Sequence, residues 1–184
     1  MDGFLLAMLL VAMLATGGRD QLMVAQWAGT LGQSAQLLGV AIACACLSAG
    51  AMAFIGAEFA ALLPRRASQM LVAFALAIAA GELALPVRLK PPKEPTRSLA
   101  ALGIVLLARQ FGDGARFAVF ALSAWTVWPV TAGLGGALGG AAAVTLGWAV
   151  GAETLARWPL RMLRMGLAVC LGIAALFIGL DARF

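Results

Sequence analysis

GAEFAALLP, residues 56–64, returns as GAETLARWP at 151–159, with Glu58 falling on Glu153 and Pro64 on Pro159. The offset is 95 residues and needs no gap. At the same offset MLVAFALAIAA (70–80) meets MGLAVCLGIAA (165–175), and ATGGRDQLMV (15–24) meets QFGDGARFAV (110–119). An Ala- and Leu-rich chain produces accidental matches, but one constant offset across separate segments reads as an internal duplication.

Each half is a membrane segment. The chain has 184 residues, 63% hydrophobic and 11% charged, with a mean hydropathy of +0.98; soluble domains are roughly 45–50% apolar. This defines an all-α integral membrane protein with a single transmembrane domain over 1–184. A bilayer core of about 30 Å needs about 20 apolar helical residues. Six such runs are expected, over 4–31, 37–63, 68–85, 99–127, 130–155 and 160–180, divided by Pro64, Pro86, Pro159 and their basic neighbours. The first repeat is 1–86, the loop VRLKPPKEPTR lies within 86–98, and the second repeat is 97–184. Three spans per repeat is an odd number, so the second repeat enters the membrane from the opposite side. Inverted repeats of this kind are the architecture of secondary transporters.

Orientation follows from the positive loops. Arg88, Lys90, Lys93, Arg97, Arg157, Arg161 and Arg164 follow the third and fifth spans, against Arg65, Arg66 and Arg183 on the other side. Both termini are therefore expected on the non-cytoplasmic side and the 86–98 loop in the cytoplasm. The net charge of +5 belongs to this asymmetry and does not point to nucleic acid. The apolar run 4–15 has the length of a signal-peptide core but follows Met1-Asp2-Gly3 without a positive region, so a retained first helix is expected.

The first and fourth spans are interrupted. FLLAMLLVAMLAT is followed by GGRDQ and LMVAQWAGTL; LAALGIVLLA is followed by RQFGDGAR and FAVFALSAWTV. No flank crosses a bilayer alone, but each pair does, which sets a polar break near mid-membrane where transporter sites lie.

Six helices in two inverted repeats, each opening with a glycine- and acid-bearing break, resemble the GDT-type family of Golgi and bacterial calcium/manganese:proton exchangers, whose repeats each carry a motif E-x-G-D-[KR]-[ST]. The resemblance implies cation:proton exchange, with the motif positions forming the cation site. In the second motif Gly112 and Asp113 are kept, Gln110 stands at the glutamate position, and Gly114 and Ala115 follow. In the first, Gly17 and Arg19 are kept, Ala15 and Gly18 replace the acids, and Asp20 takes the hydroxyl position. The transport-site residues implied are thus Asp113, Gln110, Gly112, Asp20 and Gly17. A shift of two positions turns a helical side chain by about 200°, so Asp20 serves as a displaced acid only if the segment is unwound.

On a continuous helix Arg109, Asp113 and Arg116 share one face, and with Arg19 they are the expected charge partners. Guanidiniums beside Asp113 oppose a dication, which also wants several oxygen ligands. Three readings stay open: retained calcium or manganese exchange; a carrier of another, anionic small solute bound by Arg19, Arg109 and Arg116; or a transport-inactive scaffold whose charges neutralise one another. Glu58 and Glu153, each six residues before a span-closing proline, are candidates for gating or proton relay. Glu82, four before Pro86, reads as interfacial.

An enzyme is not expected, because there is no histidine and no nucleophile paired with a base. No cofactor is expected; Cys44, Cys46 and Cys170 read as small hydrophobes. Gly135, Gly136, Gly139 and Gly140 read as close helix packing, since no Walker lysine follows, and Trp125, Trp128 and Trp158 as an interfacial belt. The expected partners are the lipid bilayer and a small ion or solute, homo-oligomerisation is left open, and the expected location is a bacterial inner (plasma) membrane.

Overall fold

The computed structural model describes residues 2–87 and 98–183; Arg88, Lys90, Lys93 and Arg97 of the basic loop lie outside the described residues. Every element in it is a helix: α1 (Asp2–Ala15), α2 (Arg19–Leu31), α3 (Ala35–Leu62), α4 (Arg65–Ala84), α5 (Leu99–Phe111), α6 (Gly114–Trp125), α7 (Pro129–Val150), α8 (Ala152–Ala156) and α9 (Leu160–Asp181). Among the described residues α3, α4, α7 and α9 are long and apolar enough to cross a membrane, and the bent pair α1–α2 reaches that length and apolarity only when its two helices are taken together. The expected fourth span, 99–127, is divided into α5 of 13 residues and α6 of 12.

Local chemistry sets the ends. Ser34 accepts the Leu37 N–H ahead of α3, and Ser98 accepts the Ala101 N–H ahead of α5, each satisfying a donor that the first turn leaves free. Leu63 and Leu85 close α3 and α4 in extended conformation, because each precedes a proline that disfavours the α region. Pro129 opens α7, where its missing N–H costs nothing.

One expectation is corrected here. The fifth span does not run unbroken to 155: α7 ends at Val150, Gly151 adopts φ +79°, and 152–156 form a separate short helix. The matched glycine Gly56 stays inside α3, where a Cβ would lie 2.5 Å from the Phe120 carbonyl oxygen. The same GAE tripeptide thus serves close packing in one half and a left-handed turn in the other.

The glycine-rich α7 sits at the centre, against α1, α2, α3 and α6, while α4 packs on α9 and both α3 and α4 pack on α6. A Cβ on Gly135 would collide with the Phe4 carbonyl, one on Gly139 with the Met8 carbonyl, and one on Gly133 would lie 2.8 Å from Ala53. Bare glycine at these points lets backbones approach where lipid provides no hydrophobic drive between helices. Large apolar side chains such as Leu6, Phe54, Phe74, Ile104 and Phe177 point outward and are exposed, as a membrane protein requires.

The tertiary contacts also follow the 95-residue offset, under which position 8 corresponds to 103, 44 to 139, 21 to 116 and 48 to 143. Cys44 Sγ donates to the Gly103 carbonyl at 3.5 Å, and the corresponding pair is Gly139 on the Met8 carbonyl. Gln21 Nε2 donates to the Ala143 carbonyl at 3.0 Å, and Arg116 Nε donates to Ser48 Oγ at 2.7 Å. Each contact maps onto the other when its two residues are exchanged between the halves.

Candidate functional site

Both interruptions are real breaks of the helix. At the first, Gly17 adopts φ +74° and Gly18 is extended, so α2 leaves α1 at an angle of 61°. The Gly17 N–H donates to Gln21 Oε1 at 2.7 Å, and Gln21 Nε2 holds the Ala143 carbonyl of α7. Asp20 stands in the first turn of α2, where the helix dipole favours an acid, and is buried with 1% exposure. Its Oδ1 accepts the Gln21 N–H at 2.7 Å, whereas Oδ2 has no partner. The break lies at Gly17-Gly18, immediately before α2, and Asp20 itself lies in the first turn of that helix.

At the second break Gly112 closes α5 and Asp113 is the N-cap of α6, in extended conformation. The Asp113 side chain makes no capping bond, and both carboxylate oxygens are buried without a partner. Arg116, one turn further, is fully buried. Its Nε donates to Ser48 Oγ at 2.7 Å, and Ser48 Oγ donates to Gln110 Oε1 at 2.9 Å. Gln110 Nε2 and both Arg116 Nη atoms are buried and unpartnered. A buried polar atom without a partner is costly, and here three acceptors and three donors are left without one. Electrostatically, Arg116 acts on both Asp20 and Asp113, and Asp113 also feels Asp20, Glu82 and Arg164.

A second charged group closes one side. Arg164 Nη2 donates to Glu82 Oε1 at 3.2 Å and to the Glu82 carbonyl at 3.1 Å, while Nη1 donates to the Gly17 carbonyl at 3.4 Å. Glu82 Oε2 accepts the Gly114 N–H at 3.3 Å, and Arg19 Nε lies 3.7 Å from Oε1. Asp20, Asp113 and Glu82 against Arg116, Arg164 and Arg19 give three formal charges of each sign. Beyond Arg164 lies an open cavity of about 540 Å³ whose lining includes Gly17, Leu22, Gln26, Arg161 and Trp158. Asp20, Asp113 and Arg116 do not line it.

Of the residues expected at the site, the structure brings together Asp20, Gln110, Asp113 and Arg116, with Gly17 and Gly112 at the breaks. Arg19 is partly exposed and pairs with Glu82. Arg109 is a correction: it is exposed on the last turn of α5. The shared face assumed a continuous helix, and the chain breaks between Arg109 and Asp113. Glu58, near the end of α3, and Glu153, in α8, are exposed and stand apart from the buried cluster. Glu82, in the last turn of α4, is buried against other helices, and Arg164 is buried within α9 rather than in a loop. Gln21 and Ser48 were not singled out from sequence, which reads Glu82 and Arg164 as interfacial and loop charges rather than as site residues; the available signal was the position of the latter two inside apolar spans.

Among the described residues no group of three or more His, Cys, Asp or Glu side chains is placed to hold a metal ion. Compared with known proteins, the chain matches no family model, no curated protein and no solved structure.

Proposed function

We propose that the chain is a secondary transporter that exchanges a cation for protons, as a divergent relative of the calcium/manganese exchangers it resembles. In this reading six spans form two inverted three-helix repeats, 1–86 and 97–184, with both termini on the non-cytoplasmic side and the 86–98 loop in the cytoplasm. The fourth span is α5 and α6 taken end to end, as the first is α1 and α2. The paired contacts at the 95-residue offset support the two-fold relation between the halves.

The observation that carries the reading is the meeting of Asp20 and Asp113 from the two breaks, both buried, with three carboxylate oxygens left without a partner. Carboxylates held inside a membrane are expensive, and paired acids that exchange a proton for a cation give that expense a purpose. The cavity beside Gly17 and Arg164 then serves as a vestibule on the side of Pro86, Val87 and Arg161, and the Arg164–Glu82 pair separates it from the acids.

The free Nη atoms of Arg116 and the free Nε2 of Gln110 favour a second reading, a carrier of a small anion. Local charge favours the first: the wider group with Glu82, Arg164 and Arg19 is neutral, but Asp20 and Asp113 outnumber Arg116, the one guanidinium buried beside both of them, when both acids are ionised. Reconstituted into liposomes with a pH-sensitive dye, the protein is expected to move protons when a cation gradient is imposed, and Asp113→Asn to abolish the flux. Flux unchanged in that variant would remove Asp113 from the site; anion uptake that Arg116→Gln stops would establish the second reading. No movement of any solute would leave a scaffold.

A further inference from the structure

Arg116 is a charge that the site cannot lose. A guanidinium stays protonated at every accessible pH, its Nε is tied to Ser48 Oγ at 2.7 Å, and its side chain is fully buried. The head lies against bare backbone: a Cβ on Gly140 would stand 2.9 Å from both Nη1 and Nη2. At the corresponding position of the first repeat stands Gln21, which is neutral and has both amide atoms occupied by Gly17 and Ala143. The duplicated scaffold therefore places a neutral amide in one half and a fixed cation in the other.

The consequence is arithmetic. With both carboxyls ionised, Asp20 and Asp113 contribute two negative charges, Arg116 returns one positive, and the inner group is left with a single net negative charge. A dication there would leave one uncompensated positive charge among buried atoms, in a region where the neighbouring Arg164, Glu82 and Arg19 group already adds another. A monovalent cation brings the inner group to neutrality and leaves only the outer group's single excess charge. Burial magnifies the difference, because Coulomb energies rise as the effective dielectric falls.

We infer that the buried site formed by Asp20 Oδ2 and both Asp113 oxygens, with Arg116 as its built-in counterion, takes a monovalent alkali cation rather than a dication. The inference rests on the cation-carrier reading above and narrows its cargo. Arg116 is a selectivity-determining residue in this scheme: it touches no cargo and sets the charge that the cargo must match.

The test uses the full-length protein in liposomes, with radiolabelled sodium and rubidium compared with manganese and calcium at equal concentration. Wild type is expected to favour the monovalent ions by at least about tenfold, and Arg116→Gln, which gives position 116 the residue of position 21, to shift that ratio toward the dications by about tenfold or more. Arg116→Lys keeps the charge and is expected to keep the monovalent preference. Manganese or calcium entering wild type as fast as sodium overturns the inference while leaving the carrier reading intact, and so does an unchanged ratio in a folded Arg116→Gln protein. Binding is read separately from the melting temperature of wild type in detergent: a rise with sodium or rubidium that manganese and calcium do not produce supports the site even where transport is silent. In that case the carrier reading fails and the charge assignment stands. A rise with the dications alone, or with no cation, overturns the inference.

Discussion

Arg164 on α9 and Glu82 on α4 form a buried ion pair, 3.2 Å from Nη2 to Oε1, that ties both helix breaks together. The arginine holds the Gly17 carbonyl of the first break, and the glutamate accepts the Gly114 N–H beside the second. A motion that separated α4 from α9 would break this pair and uncouple the two breaks, leaving Gly17 on α9 and Gly114 on α4.

Removing one partner of that pair leaves the other charged and buried. Arg164→Ala is expected to lower stability by about 3–5 kcal/mol, whereas replacing both charges by apolar side chains of similar volume is expected to cost much less. Thermal unfolding in detergent of the two single variants and the Glu82→Leu/Arg164→Leu double variant measures the difference. A double variant as unstable as the sum of the singles would show that the two residues act independently.

The glycine face of α7 has little room. Gly139→Ala would push a methyl group into the Met8 carbonyl, and Gly140→Ala would displace the Arg116 head; each is expected to destabilise by about 1–3 kcal/mol. Gly172 in α9 has open space around it, so Gly172→Ala is expected to be neutral or to stabilise by up to about 1 kcal/mol through helix propensity. Melting temperatures of the three variants, ranked in that order, check the packing.

Transport should separate the buried acids from the exposed ones. Asp20→Asn is expected to stop cation-driven proton flux as Asp113→Asn does, while Arg109→Gln, Glu58→Gln and Glu153→Gln retain most of the wild-type rate. The last two are the matched glutamates of the repeat, so loss of flux in either would return them to the mechanism despite their exposure.

Topology can be read with reporters. Alkaline phosphatase fused after residue 184 is expected to be active, since it folds only outside the cytoplasm, and the same enzyme inserted between residues 90 and 94 to be inactive. An active central insertion would reverse the orientation drawn from the basic loop.

Several features were legible in the sequence because their causes are local. Composition and span length required a helical membrane protein, prolines and their basic neighbours marked several helix ends, and Gly17-Gly18 and Gly112-Asp113 marked the breaks. The face shared by Arg109, Asp113 and Arg116 failed for an equally local reason, since helical spacing means nothing across a break. Glu82 and Arg164 lay too near their span ends to be told from interfacial residues. What distinguishes them is a partner 82 positions away, and spacing along the chain carries no record of that.

The sequence by itself determined the class of the molecule, its membrane-length helices, the two interruptions and the offset relating its halves, since hydropathy, backbone propensity and duplication are written residue by residue. Only the tertiary structure decided which charges meet. It drew Asp20, Gln110, Asp113 and Arg116 inward, left Arg109, Glu58 and Glu153 outside, and paired Glu82 with Arg164. The physical reason is that a buried charge is tolerated only where helices remote in sequence bring it a partner or a ligand.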